Sequence, residues 1–245
     1  MTASLIGARL IGVGVGPGDP ELVTLKAIRA LRGADVVAHF AKRGHAGNGR
    51  TIAACHMAPG VAELPLIYPV TTEIPKCEPR YRQLICDFYD AAAAGVAERL
   101  DAGLVVAVIC EGDPMFYGSF MHLHVRLASR YPTEVIAGVS GMSGCWSATG
   151  LPIAQGDDVF MVLPGTLAEP ELVRRLGDTD AAAIMKIGRH LPKVRRALAC
   201  ARRLDHAVYV ERGTMRDGVT MRLADKPDDA APYFATVLVP GWQER

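Results

Sequence analysis

Residues 8–20 read ARLIGVGVGPGDP, an apolar run that breaks into alternate glycines and then into a proline after Asp19. Ala8–Val15 has the composition of a strand, and the glycines that follow give the backbone room to turn and a ligand room to approach it. Asp19 suits an N-cap and Pro20 a first helical position, so a helix is expected over Pro20–Arg32, closed by Gly33. A helix N-terminus directly behind such a loop favours a negative group.

The same alternation continues outward. Further strands are expected at Val36–Phe40, Leu66–Val70, Leu104–Cys110 and Glu134–Val139. Several are apolar at nearly every position, as strands buried on both faces of a parallel sheet are. Helices are expected at Pro79–Ala102 and at Phe116–Tyr131, the latter with Phe116, Phe120, Leu123, Leu127 and Tyr131 on one face. Beyond residue 140 the texture changes. Strands are expected at Asp158–Leu163, Ala182–Ile187, Ala207–Glu211, Val219–Leu223 and Tyr233–Val239, and the Arg216-Asp217-Gly218 turn makes part of that sheet antiparallel. The reading is two α/β domains: residues 1–140 with a mainly parallel sheet and the glycine loop, and residues 141–245 with a mixed sheet. A cleft between two such domains is a common place for a ligand.

Composition limits the classes. Of 245 residues half are apolar and 22% charged, enough for a sizeable core. Lys plus Arg number 27 and Asp plus Glu 26, so the net charge of +1 gives no support to nucleic-acid binding through bulk charge. The apolar run Leu104–Cys110 is too short to span a bilayer, and the N-terminal MTASLIGARLIG lacks the basic start of a signal peptide. Cys55, Cys77, Cys86, Cys110, Cys145 and Cys200 form no C-x-x-C pair, and no disulfide framework is expected. A cytoplasmic protein without a membrane partner is expected.

Several familiar chemistries fail on spacing. The dinucleotide fingerprint G-x-G-x-x-G meets Pro17 or Asp19 at its last position, and no Walker lysine follows. Residues 138–145, GVSGMSGC, miss the nucleophile elbow because Met142 or Cys145 stands where its last glycine belongs. His122 and His124 lie two apart, on different sides of a helix, so no metal site is expected. Residues 111–118, EGDPMFYG, are more informative. They follow a strand, where α/β sheets place ligands. Glu111 and Asp113 crowd two carboxylates into one loop, which a ligand with a positive centre would relieve; Asp113 could instead cap the next helix. Two basic clusters remain, Lys42–Arg50 with no acid inside it, and Arg189–Arg196 at a helix start, where cations oppose the helix dipole. Acidic ligands would relieve both.

Taken together, VGVGPGDPELVTLKA at 13–27, CEGDPMFYGS at 110–119, AGVSGMSGC at 137–145 and IMKIGRHLPKV at 184–194 resemble the tetrapyrrole (corrin/porphyrin) methylase family over nearly the whole chain. KRGHAGNGR at 42–50, VLPGTL at 162–167 and IMKIGRHLPKV at 184–194 look most like the precorrin-2 C(20)-methyltransferases within it. The resemblance implies two α/β domains with the active-site cleft between them, a homodimer, and methyl transfer from S-adenosyl-L-methionine (SAM), leaving S-adenosyl-L-homocysteine (SAH). It implies precorrin-2 as substrate, methylated at carbon 20 to precorrin-3A on the way to cobalamin. A cobalt-loaded substrate, another ring carbon, or a non-catalytic tetrapyrrole-binding role are the alternatives. Position by position, Pro17, Glu111, Gly112, Asp113, Phe116, Ser140, Gly141, Met185 and Gly213 fall on the family's cofactor site. The acidic macrocycle gives Lys42, Arg43, Arg50, Arg189 and Lys193 the role of carboxylate ligands. Ala137 replaces the family's usual proline, and Phe40 stands where uroporphyrinogen-III methylases carry an aspartate proposed as base. No catalytic base is assigned; His39 and Tyr117 are the candidates for the proton leaving carbon 20.

Overall fold

The computed structural model describes residues 7–71, 73–74 and 78–241. Most of the N-terminal stretch considered above for a leader, and Cys77, lie outside them. The chain divides into two compact units, Met1–Ser140 and Gly141–Arg245.

The first unit is built on five parallel strands: β1 Arg9–Gly14, β2 Val36–Lys42, β3 Ala62–Tyr68, β4 Val105–Cys110 and β5 Thr133–Ile136, in the order β3-β2-β4-β1-β5. Continuous apolar runs are required because both faces are covered. Leu10, Val36, Ala38, Val106 and Val108 pack beneath α3 (Pro79–Asp101) and α4 (Phe120–Leu127). Ile11, Val13, Val37, Ala107 and Ile109 pack beneath α1 (Leu25–Arg32) and α2 (Asn48–Ala53). The chains leaving the adjacent strands β1 and β4 therefore part to opposite faces, and their loops meet at the carboxyl edge, the place where open α/β sheets bind ligands.

The second unit has α5 (Gly141–Thr149), α6 (Glu169–Gly177) and α7 (Leu191–Cys200) around a mixed sheet. Its strands are β6 Phe160–Pro164, β7 Ala181–Met185, β8 Val208–Glu211, β9 Val219–Arg222 and β10 Ala235–Val239, in the order β6-β7-β10-β8-β9. Only β6 and β7 pair in parallel. One face carries Ala182, Ile184, Leu191, Val194 and Leu198; the other holds Cys145 against Ala183, Val210 and Leu238.

Three expectations change. The helix expected over Pro20–Arg32 is two pieces: Asp19 accepts from the Glu21 amide and caps a single 3₁₀ turn, Pro20–Leu22, and Thr24 then caps α1 through the Ala27 amide at 3.2 Å. Val23, between them, is buried. The helix expected over Phe116–Tyr131 begins only at Phe120, because Tyr117 takes φ +55° and ends any helical path from Phe116. Tyr131 lies beyond its end yet still packs into the same core. The strand expected at Leu66–Val70 runs instead over Ala62–Tyr68; as an edge strand it tolerates Pro65 and an exposed face, which hid it from a search for apolar runs.

Candidate functional site

At the carboxyl edge of the first sheet three loops are locked backbone to backbone. The Val15 amide donates to the Cys110 carbonyl at 2.9 Å, and the Gly112 amide to the Gly16 carbonyl at 2.8 Å, an isolated antiparallel bridge. Gly14 sits so close that a Cβ there would lie 2.6 Å from the Gly112 oxygen and 2.5 Å from the Gly138 nitrogen. A Cβ on Gly138 would collide with the same Gly112 oxygen and lie 2.8 Å from Gly14 Cα. The glycines at 14 and 138 are thus required by the protein's own loop packing, not solely by a ligand's approach. Pro17, half-buried, rides on the β1 loop just past this bridge.

The two carboxylates of the loop after β4 find amides rather than cations. Glu111 Oε1 accepts from the Gly49 amide in α2 at 3.1 Å; burial pushes its carboxyl above the usual range, and backbone donors partly offset that. Asp113 Oδ1 accepts from the Met115 amide at 2.8 Å and Oδ2 from the Gly138 amide at 3.2 Å. Asp113 therefore does not cap α4, whose N-cap is Ser119. Among the described residues no Lys, Arg or His pairs with Glu111 or Asp113. A carboxyl group keeps lone pairs after two amide bonds, so this loop presents spare acceptors on two acidic groups that have no ion-pair partner among the described residues. Phe116, half-buried, follows, its ring 4.7 Å from that of Tyr117.

The remaining cofactor candidates lie at the unit boundary and in the second unit. Ser140 ends the first unit and Gly141 opens α5, with open space around its Cα. Met185 closes β7, and its carbonyl accepts from the Gly165 amide at 2.7 Å. Gly213 follows β8; its amide donates to the Cys145 thiol, and a Cβ there would lie 3.0 Å from Cys145 Cα. Met185 and Gly213 belong to strand ends separated by β10.

The basic candidates divide into two kinds. Arg50 makes a two-pronged ion pair with Glu63 of β3, at 2.8 and 3.0 Å, and Lys193 donates to the Leu167 carbonyl at 2.5 Å, with burial lowering its pKa. Both are structural ties. Neighbouring Arg195 holds the Leu223 and Lys226 carbonyls, and Arg196 pairs with Glu169, so the helix-start cluster has internal partners that local sequence did not show. Lys42 is exposed, 3.9 Å from Glu73, and Arg43 and Arg189 are exposed without an ion-pair partner among the described residues. His39 is 6% exposed, its Nε2 3.2 Å from Glu63, and its buried Nδ1 has no hydrogen-bond partner among the described residues. Burial, the largest influence, lowers its pKa, against the opposing pull of Glu63. Tyr117 is 45% exposed. Residues that sequence reasoning missed are Gly138, Ser119, Tyr68 and Tyr89. Only the glycine carried a signal, its place in a small-residue loop after a strand.

Residues 9–225 match the family profile described as Tetrapyrrole (Corrin/Porphyrin) Methylases. A Sinorhizobium protein named precorrin-2 C(20)-methyltransferase is 64% identical over 97% of each chain. A Salmonella typhimurium cobalt-precorrin-2 C(20)-methyltransferase is 24% identical over 96% of this chain and 97% of its own. Among solved structures, Thermus thermophilus uroporphyrin-III C-methyl transferase complexed with S-adenyl homocysteine superposes with TM-score 0.63 at 24% identity, covering 94% of this chain and 96% of that one, a likeness of fold. The profile spans most of the chain and the Sinorhizobium match nearly all of it: the chain belongs to the tetrapyrrole methylase family.

Proposed function

We propose that this chain is a SAM-dependent C-methyltransferase that methylates carbon 20 of precorrin-2, giving precorrin-3A in corrin-ring synthesis. The observation that carries the reading is the 64% identity, end to end, with the Sinorhizobium precorrin-2 enzyme, against 24% with the cobalt-precorrin-2 enzyme. The spare acceptors of the two acidic groups in the 111–113 loop fit a cofactor bearing a cationic centre and hydrogen-bond donors. Pro17, Glu111, Gly112, Asp113, Phe116, Ser140, Gly141, Met185 and Gly213 are the residues that would hold it. When bound, SAM supplies an electrophilic methyl group on a positively charged sulfur.

The chain's own contribution is to fix and shield. Asp113, held by two amides, keeps a defined orientation and can accept from a ligand without first reorganising. Aligning two bound reactants is worth about 7–11 kcal/mol, so rigid loops matter more here than a strong acid. Lys42, Arg43 and Arg189 are exposed and can reach a substrate's carboxylates, whereas Arg50 and Lys193 would serve by holding the framework. Of the two candidate proton acceptors, His39 is enclosed under α2 and tied to Glu63, so Tyr117 is the one a macrocycle can reach without opening the core. No helix of the described residues is long and apolar enough to cross a membrane. The further reading as a cytoplasmic homodimer that takes a small acidic tetrapyrrole, with neither nucleic acid nor membrane as partner, rests on the family resemblance.

Parallel assays with metal-free precorrin-2 and its cobalt-loaded counterpart test the substrate. The metal-free compound is expected to turn over at least tenfold more efficiently; the reverse preference would assign the chain to the cobalt-dependent route.

A further inference from the structure

The loop that carries Glu111 and Asp113 is strained and tightly folded. Gly112 takes φ +64°, the non-glycine Tyr117 takes φ +55°, and a Cβ on Gly118 would lie 2.6 Å from the Pro114 oxygen. Strain of this kind persists only where surrounding structure over-determines it. Here the loop is closed at its base. The Cys110 thiol, at the end of β4, accepts from the amides of Ser119 and Phe120, groups that start α4 without a side-chain cap. The Ser119 hydroxyl is held in turn by two phenols, Tyr89 of α3 at 3.1 Å and Tyr68, the last residue of β3, in a shorter contact.

Both phenols sit in an aromatic cluster that fixes their rings. Tyr68 lies 4.7 Å from Phe88 and stacks on Phe40 at 5.7 Å, and Tyr89 stacks on His122 at 3.9 Å. Burial, the largest influence, raises the Tyr68 pKa far above that of an ordinary phenol. The Tyr68 hydroxyl is spent on Ser119 and its ring is packed among Phe40 and Phe88, which suits it to holding the loop in place.

We propose that Tyr68 is a positioning residue: through its hydroxyl contact with Ser119 it clamps the C-terminal end of the 111–119 loop to β3 and so sets the orientation of the cofactor carboxylates. The proposal rests on the cofactor reading above for its consequence, but not for the clamp itself.

The test compares Tyr68→Phe, Ser119→Ala and the double variant with wild type. Tyr131→Phe is the control; it removes another phenol of the same core, one that donates at 2.7 Å to Asp101, the last residue of α3, and makes no hydrogen bond to Ser119. Loss of one hydrogen bond corresponds to roughly a fivefold effect. Tyr68→Phe should accelerate hydrogen exchange of the Gly112–Phe120 amides about fivefold and weaken SAH binding by calorimetry about three- to fivefold. The KM for SAM should rise by a similar factor, with kcat little changed. In a Ser119→Ala background Tyr68→Phe should add nothing, and Tyr131→Phe should lower the melting temperature without moving either loop readout. Wild-type exchange and affinity in Tyr68→Phe, with only a lower melting temperature, would overturn the proposal, as would full additivity in the double variant. If wild type itself bound no SAH, the cofactor reading would fall, and the exchange comparison alone would decide the clamp.

Discussion

Gly138→Ala is the most informative single change, because its consequence follows from geometry alone. Gly138 has no positive φ, so alanine is conformationally allowed there. The added methyl, however, would meet the Gly112 carbonyl oxygen and lie 2.8 Å from Gly14 Cα and 2.9 Å from Gly14 C. These neighbours are backbone and cannot rotate away, so the three loops must separate. Overpacking of this kind costs about 1–3 kcal/mol. Displacing the Gly138 amide from Asp113 Oδ2, now at 3.2 Å, adds about 1–2 kcal/mol. A total of about 2–5 kcal/mol corresponds to a fall in melting temperature of roughly 4–20 °C for a chain this long. Because Asp113 is reoriented, SAH affinity should fall by more than tenfold in the fraction that remains folded. Gly95→Ala is the matched control: Gly95 lies within α3 with nothing within 4 Å of a Cβ. There alanine should stabilise by roughly 0.5–1 kcal/mol. Calorimetric melting and SAH titration read both variants. Gly138→Ala with wild-type stability and affinity would refute the claim that the three loops are packed without room for a side chain.

Three further outcomes are expected. Asp113→Ala should weaken SAH binding about 10–100-fold, the worth of one or so charge-assisted hydrogen bonds, and an unchanged calorimetric affinity would remove Asp113 from the site. His39 is held neutral in the fold with a pKa below 6.5, so its contribution to stability is present above 6.5 and is lost as pH falls from there through the folded value. Glu63, lowered chiefly by Arg50, loses its contribution in the same direction but at lower pH, below 4.5. His39→Gln should therefore flatten the first part of the acid limb in a melting-temperature profile; an unchanged slope between pH 7 and 5 counts against the assignment. Arg43→Ala and Arg189→Ala should raise the KM for the tetrapyrrole several-fold at constant melting temperature, whereas Arg50→Ala should lower the melting temperature first. Equal thermal behaviour of all three would contradict the division between exposed ligands and structural ties.

What could be read from sequence was set by how local the cause is. The strands β1, β2 and β4 were legible because burial on both faces demands unbroken apolar runs. β3 was misplaced because an edge strand with Pro65 needs no such run. The break at Val23 escaped because two N-caps, Asp19 and Thr24, compete within one turn, and only the packing of Val23 decides between them. In the site, the acidic loop was visible as two carboxylates after a strand, but its partners were not: Gly49 and Gly138 supply amides from 62 and 25 residues away. The positive centre expected for Glu111 and Asp113 was a ligand's; within the protein these amides are what hold the two carboxylates. The Lys42–Arg50 cluster likewise looked free of acids because Glu63 approaches Arg50 from a neighbouring strand. Tyr68 and Ser119 gave no signal, since their meeting depends on where β3 ends.

The central claim is tested most directly by incubating the pure protein with precorrin-2 and SAM carrying an isotope-labelled methyl group, then locating the label by NMR. A single labelled methyl on carbon 20 is expected. Label on any other ring carbon, or no transfer under conditions where SAM is bound, would contradict it.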